Sequence, residues 1–139
     1  MSGPDSEEFQ FQIVGDEDSN VVELTAGTVA NERDATDIVG NAHFMGASYL
    51  LVDAQRLAAE FFDLSSGLAG AVMQKAANYR VCLVVIGYDA SDGSNASGAS
   101  DSLRALIQES NSGTTAWFVI DRNAALARVA AVRAPRDPV

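Results

Sequence analysis

Three uninterrupted apolar runs constrain this chain more than anything else in it: Ser48-Tyr49-Leu50-Leu51-Val52, Val81-Cys82-Leu83-Val84-Val85-Ile86 and Ala116-Trp117-Phe118-Val119-Ile120. A strand with one wet face alternates apolar and polar side chains, so a continuous run reads as a central strand covered by helices on both faces. Between the first two runs Ala69, Val72, Met73 and Ala76 recur at helical spacing and form one stripe within residues 67–79. Ser100 or Asp101 can cap a second helix with Leu103, Leu106 and Ile107 inward, ended near Asn111-Ser112-Gly113; Asp121 can cap a third with Leu126 and Val129 inward. Ahead of all of these, Asp34 is the expected cap of a helix through Ala35, Ile38, Val39 and Ala42, ending near Gly46.

The start of the chain follows a different rule. Phe9-Gln10-Phe11-Gln12-Ile13-Val14 alternates, Gly15 to Asn20 supplies turn chemistry, and Val21-Val22-Glu23-Leu24 follows, which predicts an antiparallel pair. Strands alternating with helices imply right-handed crossovers and a mostly parallel sheet. The expected fold class is therefore α/β: a single domain over residues 9–132, a mixed sheet of about five strands in the order ββαβαβαβα, and the strand at 81–86 as its most buried member. Residues 1–8, an acidic tail, and 133–139 are expected to be disordered. The stretch from Asp89 to Ser100 has no apolar anchor larger than alanine and reads as a mobile loop; its acidic residues miss the spacing of a calcium loop, and Ser100 stands where a bidentate Glu belongs.

Charge narrows the function. Nine Lys and Arg against 19 Asp and Glu leave a formal charge of −10, which repels phosphodiester backbones and anionic headgroups, so neither nucleic acid nor membrane is an expected partner. No apolar run approaches the roughly 20 residues of a membrane span, and the opening MSGPDSEEFQ is acidic where a secretory leader is basic and then apolar, so a cytoplasmic location is expected. Cys82 is the only cysteine and sits inside an apolar run, which reads as a buried, inert thiol.

The most informative stretch runs FFDLSSGLAGAVMQKAANY from Phe61 to Tyr79. Asp63, Ser65 and Ser66 lie just before or at a helix start, where unpaired N–H groups favour an oxygen acceptor or a negative charge; capping alone would explain them. Gly67 and Gly70 are a costly pair in a helix, each worth about 1 kcal/mol against alanine, which asks for tight packing or for close approach of a ligand. Gly67, Ala71, Gln74 and Asn78 project opposite the apolar stripe, and Lys75 and Tyr79 are neighbours one turn apart. Amides such as Gln74 and Asn78 pair readily with the backbone of a partner.

These residues carry a resemblance. Phe61-Phe62-Asp63-Leu64, Gly67-Leu68-Ala69-Gly70, Gln74-Lys75, Asn78-Tyr79 and Glu109-Ser110-Asn111 with Gly113 resemble the uncharacterised bacterial family known as domain of unknown function 4180, over about residues 45–130. The chain departs from that pattern at Ala71, where the family has Glu, and at Tyr88, where it has Asp. More weakly, Asp63-Leu64-Ser65-Ser66-Gly67-Leu68 is similar to the Asp-Ser-Ser-Gly-Leu element of STAS domains, the anti-sigma-factor antagonists, although the inserted Leu64 changes the spacing. That resemblance implies a STAS-like topology and a partner kinase that phosphorylates the first serine, which here is Ser65.

Catalysis has little behind it. His43 is the only histidine and lies beside Phe44 and Met45, far in sequence from either serine cluster, so a Ser-His triad is not supported. Gly67 to Gly70 lacks the Lys and Ser/Thr of a P-loop. Asp53, Asp63, Asp89 and Asp121 each follow an expected strand and could gather at one sheet edge, although capping explains them equally well. No catalytic residue, metal ligand or cofactor is assigned. The expectation is a protein-interaction or regulatory module, with a protein partner and a homodimer among the options; a small-ligand sensor and an enzyme with a carboxylate-based site stay open. The expected surface comprises Asp63, Ser65, Ser66, Gly67, Gly70, Gln74, Lys75, Asn78 and Tyr79, with Glu109 and Asn111 either joining it or satisfying a helix end.

Overall fold

The computed structural model of the chain describes residues 9–15, 20–88 and 101–133. Its elements run β1 (Gln10–Ile13), β2 (Val21–Ala26), α1 (Glu32–Phe44) and β3 (Tyr49–Asp53). Three 3-10 turns follow (Ala54–Arg56, Ala59–Phe62, Leu64–Ser66), then α2 (Leu68–Tyr79), β4 (Cys82–Ile86), α3 (Asp101–Asn111), β5 (Ala116–Val119) and α4 (Arg122–Arg133). The strands lie in the order β1-β2-β3-β4-β5, antiparallel at β1·β2 and parallel thereafter, so the expected element order and mixed five-stranded sheet are both found. The expected loop 89–100 and tail 1–8 lie outside the described residues, as does the end of the chain beyond Arg133, which itself closes α4.

Alternation along the strands divides the core into two. Val22 and Leu24 of β2, Leu50 and Val52 of β3, Leu83 and Val85 of β4 and Phe118 of β5 pack with Ile38 and Val39 of α1, Val72 of α2, and Leu103 and Ile107 of α3. The intervening residues Val21, Leu51, Cys82, Val84, Ile86 and Trp117 meet Ala125 and Val129 of α4. Three helices thus share one face and α4 covers the other, the result of crossovers that all move the same way across the sheet. Every residue of β4 is buried, as its unbroken apolar run requires. Met73 and Leu126, expected fully inward, are only partly buried at the margins of these clusters.

Two details depart from expectation. The N-cap of α1 is Asn31, whose side chain accepts from Asp34 N–H at 2.9 Å, while the Asp34 carboxylate reaches back to Ala30 N–H at 2.9 Å. Both residues cap, reciprocally, and the helix begins one turn earlier than Asp34 alone suggests. β5 is an edge strand, although its run reads as central. Its faces are covered by α3 and α4, which is all that side-chain pattern reports. The open edge is closed by one side chain: Asn111 Oδ1 accepts from Phe118 N–H at 2.7 Å, and Asn111 Nδ2 donates to Phe118 C=O at 3.3 Å. Arg128 holds this corner, its guanidinium 4.2 Å from the Trp117 ring centre and donating to Asn111 C=O.

Asn111 therefore satisfies a helix end and a strand edge together. Replacing it with alanine strands both Phe118 backbone groups, one residue from the buried Trp117, so Asn111→Ala is expected to lower unfolding stability by about 1–3 kcal/mol in urea titration, with an unchanged slope.

Candidate functional site

The segment between β3 and α2 is held from several sides. Asp53 accepts from Gln55 N–H at 2.8 Å and starts the first 3-10 turn; Val29 N–H donates to Arg56 C=O at 2.7 Å, and Ala58 N–H donates to Val29 C=O at 2.9 Å. Arg56 reaches across to donate to Thr25 C=O at 2.7 Å. The phenylalanine pair then anchors the turn before α2. Phe61 is fully buried with its ring 6.2 Å from Phe118, while Phe62 stacks on Tyr88 at 5.8 Å with planes 6° apart. Tyr88 also meets Phe118 edge-on at 5.9 Å and so completes a cluster at the ends of β4 and β5.

Asp63 sits immediately after this anchor and does not follow a strand. Its Oδ1 accepts from Ser65 Oγ at 2.7 Å and from Ser65 N–H at 3.0 Å. The Ser65 hydroxyl first, and then the Ser65 N–H, hold the carboxyl below its ordinary value of 3.8 and outweigh the slight desolvation there. The helix-starting hydroxyl is Ser66: it accepts from Leu68 N–H at 3.1 Å while donating to Glu60 C=O. Ser65 instead lies in the turn, exposed, with its hydroxyl directed to Asp63.

The glycines separate. Gly67 is the N-cap of α2 with φ +79°, a left-handed backbone that asks for glycine whatever surrounds it. Gly70 is inside the helix, exposed, and a β-carbon there would meet nothing within 4 Å. Tight packing, one of the two reasons expected for this glycine, is therefore not found among the described residues. Beyond it on the exposed side of α2, Gln74 Nε2 donates to Asn78 Oδ1 at 3.0 Å.

A cleft of about 240 Å³ opens between the starts of α1 and α2, lined by Asn31, Glu32, Glu60, Ser66, Gly67 and Ala71 among others. Nothing local in the sequence pointed to Asn31, Glu32 or Glu60, because the bridge between Val29 and Leu57 brings these segments together. Ala71 also lines this cleft, with Glu32 and Glu60 on its walls.

Other expected members lie elsewhere. Tyr79 turns towards α1, its ring 5.3 Å from that of His43, and Lys75 is half-buried. Glu109 is exposed on the last turn of α3, where Ser110 Oγ donates to Met73 Sδ at 3.7 Å, and Asn111 is the edge clamp already described. The aspartates do not form a common site: Asp53 and Asp121 cap their own turns, Asp63 binds Ser65, and Asp89 is outside the described residues. Among the described residues no three His, Cys, Asp or Glu side chains gather as a metal would need, and no helix is long and apolar enough to cross a membrane.

Two measurements follow. Gly67→Ala is expected to lose about 1–2 kcal/mol from left-handed strain, whereas Gly70→Ala should gain about 0.5–1 kcal/mol, both read by chemical denaturation. Because the Asp63 carboxyl is lowered in the folded chain, its contribution is present above the ordinary value and lost as pH falls through the lowered one. Wild type should accordingly exceed Asp63→Asn in thermal midpoint near neutrality, with the gap closing as the solution becomes strongly acidic.

No curated protein and no solved structure gives a significant match to the chain. A family model described as "Domain of unknown function (DUF4180)" matches residues 15–129, which takes in every strand after β1, the Asp63–Ser66 turn, α2 and most of α4. The chain belongs to the DUF4180 family.

Proposed function

We propose that this chain is a regulatory protein-interaction module that docks a protein partner on the exposed side of α2 and the Asp63–Ser66 turn. The observation that carries the reading is Gly70. Glycine destabilises an exposed helical position, and among the described residues no atom comes near enough to need the space. A backbone from another molecule can approach there, with the Gln74 and Asn78 amides one and two turns on, free to exchange their mutual hydrogen bond for one to the partner.

Chemistry is less well supported. His43, the one histidine, packs on Tyr79 at the far end of α2, about 16 Å along the helix from Leu68. The Cys82 thiol is pushed up to about 12 by burial, against a weaker pull from Arg128, which removes it as a thiolate near neutrality. The cytoplasm is the compartment we take for the module. The cleft of about 240 Å³ falls below the range of roughly 300–1,000 Å³ usual for small-molecule sites, so a ligand sensor would use one of the two larger clefts, of about 340 and 560 Å³, that lie away from the Asp63–Ser66 turn.

Ser65 is the position the STAS likeness marks for phosphorylation, and its hydroxyl is exposed. A phosphate would add about −1.5 to −2 charge directly beside the Asp63 carboxylate that now accepts its hydrogen bond, opening the turn and changing the docking surface. The test is affinity capture from a lysate of the source cells with wild type, Gly70→Arg, Gln74→Ala, Ser65→Ala and Ser65→Asp, with thermal midpoints in parallel. We expect Gly70→Arg and Ser65→Asp to lose the same captured protein while staying folded. Equal capture by all five proteins would remove the reading, and turnover of a hydrolase substrate abolished by Asp63→Ala would replace it with an enzyme.

A further inference from the structure

A cleft of about 340 Å³ lies at the other end of α2 from the Asp63–Ser66 turn, where β3, β4 and β5 begin. That volume is within the range of small-molecule sites, and the lining fits one: apolar walls that include Ala76, Ala77 and Val132, and a few polar groups, Arg80 with the hydroxyls of Ser48, Thr114 and Thr115. No carboxylate of the described residues lines it, although Asp and Glu outnumber Lys and Arg by 19 to 9 in the chain. The side chains of Arg80, Thr114 and Thr115 make no hydrogen bond or ion pair among the described residues. Ser48 Oγ accepts from Asn20 Nδ2 at 3.1 Å, which leaves its own proton to donate. Arg80 is also a costly choice where it stands: it ends α2 at φ +58°, the left-handed position that helix ends usually give to glycine.

We propose that this cleft binds a small monocarboxylate with an apolar body, its carboxylate held by Arg80 and the hydroxyls around it. The charge of the occupant follows from the lining. A guanidinium that has no acidic partner in the fold is an anion site, and its planar fork matches the two oxygens of a carboxylate. The end of α2 does not forbid this: Arg80 N–H donates to Ala76 and Ala77 C=O, and Val81 N–H donates to Ala76 C=O, so the carbonyls that would repel an anion are already engaged. One cation beside a helix C-terminus, in a chain of −10, supports a single negative charge and disfavours the dianion of a phosphate ester. The apolar body covers Ala77 and Val132, the latter 54% exposed in the free chain. Nothing in this site depends on the docking surface of the Asp63–Ser66 turn and Gly70.

The experiment is a titration of the full chain followed by heteronuclear NMR, with the indole N–H of Trp117, the chain's only tryptophan and a wall of the cleft, as reporter. The probes are butyrate, isovalerate, benzoate, phenylacetate and indole-3-acetate, each set against its own amide, with phenethylamine and phenyl phosphate as the cationic and dianionic counterparts. We expect saturable shifts at Trp117 and Thr115 with at least one acid, bound at least about tenfold more tightly than its amide, and neither the amine nor the phosphate ester binding comparably. Arg80→Gly should cut that affinity by more than about tenfold while raising the thermal midpoint of the ligand-free chain, since glycine suits the left-handed backbone; a residue that only ended the helix would show the second effect without the first. Arg80→Lys, which keeps the charge and loses the fork, should bind severalfold more weakly than wild type. Gly70→Arg leaves acid binding unchanged, so the failure of this site and the failure of the docking surface are read separately. Silence of all five acids overturns the proposal, as does an acid bound no better than its amide, a phosphate ester bound more tightly than any acid, or full affinity in Arg80→Gly. Should that variant misfold, undiminished binding by Arg80→Lys overturns it equally.

Discussion

β4 is buried along its whole length, and the rest of the arrangement exists to keep it so. A parallel ladder must be covered on both faces, because its crossovers are long and its side chains emerge both ways. Three helices supply one cover through successive βα crossovers. The other cover is α4, added after the last strand, and its work is concentrated in Ala125 and Val129, with Arg128 laid over Trp117 and Arg122 paired to Glu23 at 3.0 Å. Burying the sheet in this order leaves β1 and β5 at its margins, and each margin has its own chemistry.

The same burial positions the candidate surface. Phe61 and Phe62 lock the turn against Tyr88 and Phe118. Asp63 comes next in sequence and is presented to solvent by that lock, with Ser65 as its hydrogen-bond donor. A rigid aromatic anchor followed by an exposed polar turn is the arrangement by which a stable scaffold carries a recognition loop.

What the sequence revealed, and what it hid, follows from the range of each interaction. The apolar stripes of α1 and α2 and the alternation of β1 are local periodicities, and Ala35, Ile38, Val39 and Ala42 are buried as their spacing requires. The edge position of β5 is set by its backbone, which side-chain pattern does not report, and the Asn111 clamp that compensates for it reads in sequence as an ordinary helix end. Spacing along one helix pairs Tyr79 with Lys75 but does not say where the neighbouring helix lies, and His43 of α1 is beside Tyr79. Gly70 reads in sequence as a cost, and only the structure shows that a β-carbon there would meet no described atom within 4 Å. Glu32 and Glu60 escaped notice because the cleft they line is made by a single bridge between distant segments.

The sequential strand order bears on how the chain reaches this state. Each strand pairs with its predecessor in the sequence, so no ladder waits for a distant partner, and each parallel pair needs the closure of one crossover only. Each βα unit therefore adds to the strand before it, starting from the antiparallel pair β1 and β2. The clamp between Asn111 and Phe118 spans seven residues, short enough to set α3 and β5 as a unit before that unit docks on β4. The last helix packs on Val21, Leu51, Val84 and Trp117, one residue from each of β2 to β5, so its face is complete only when all four strands are in place.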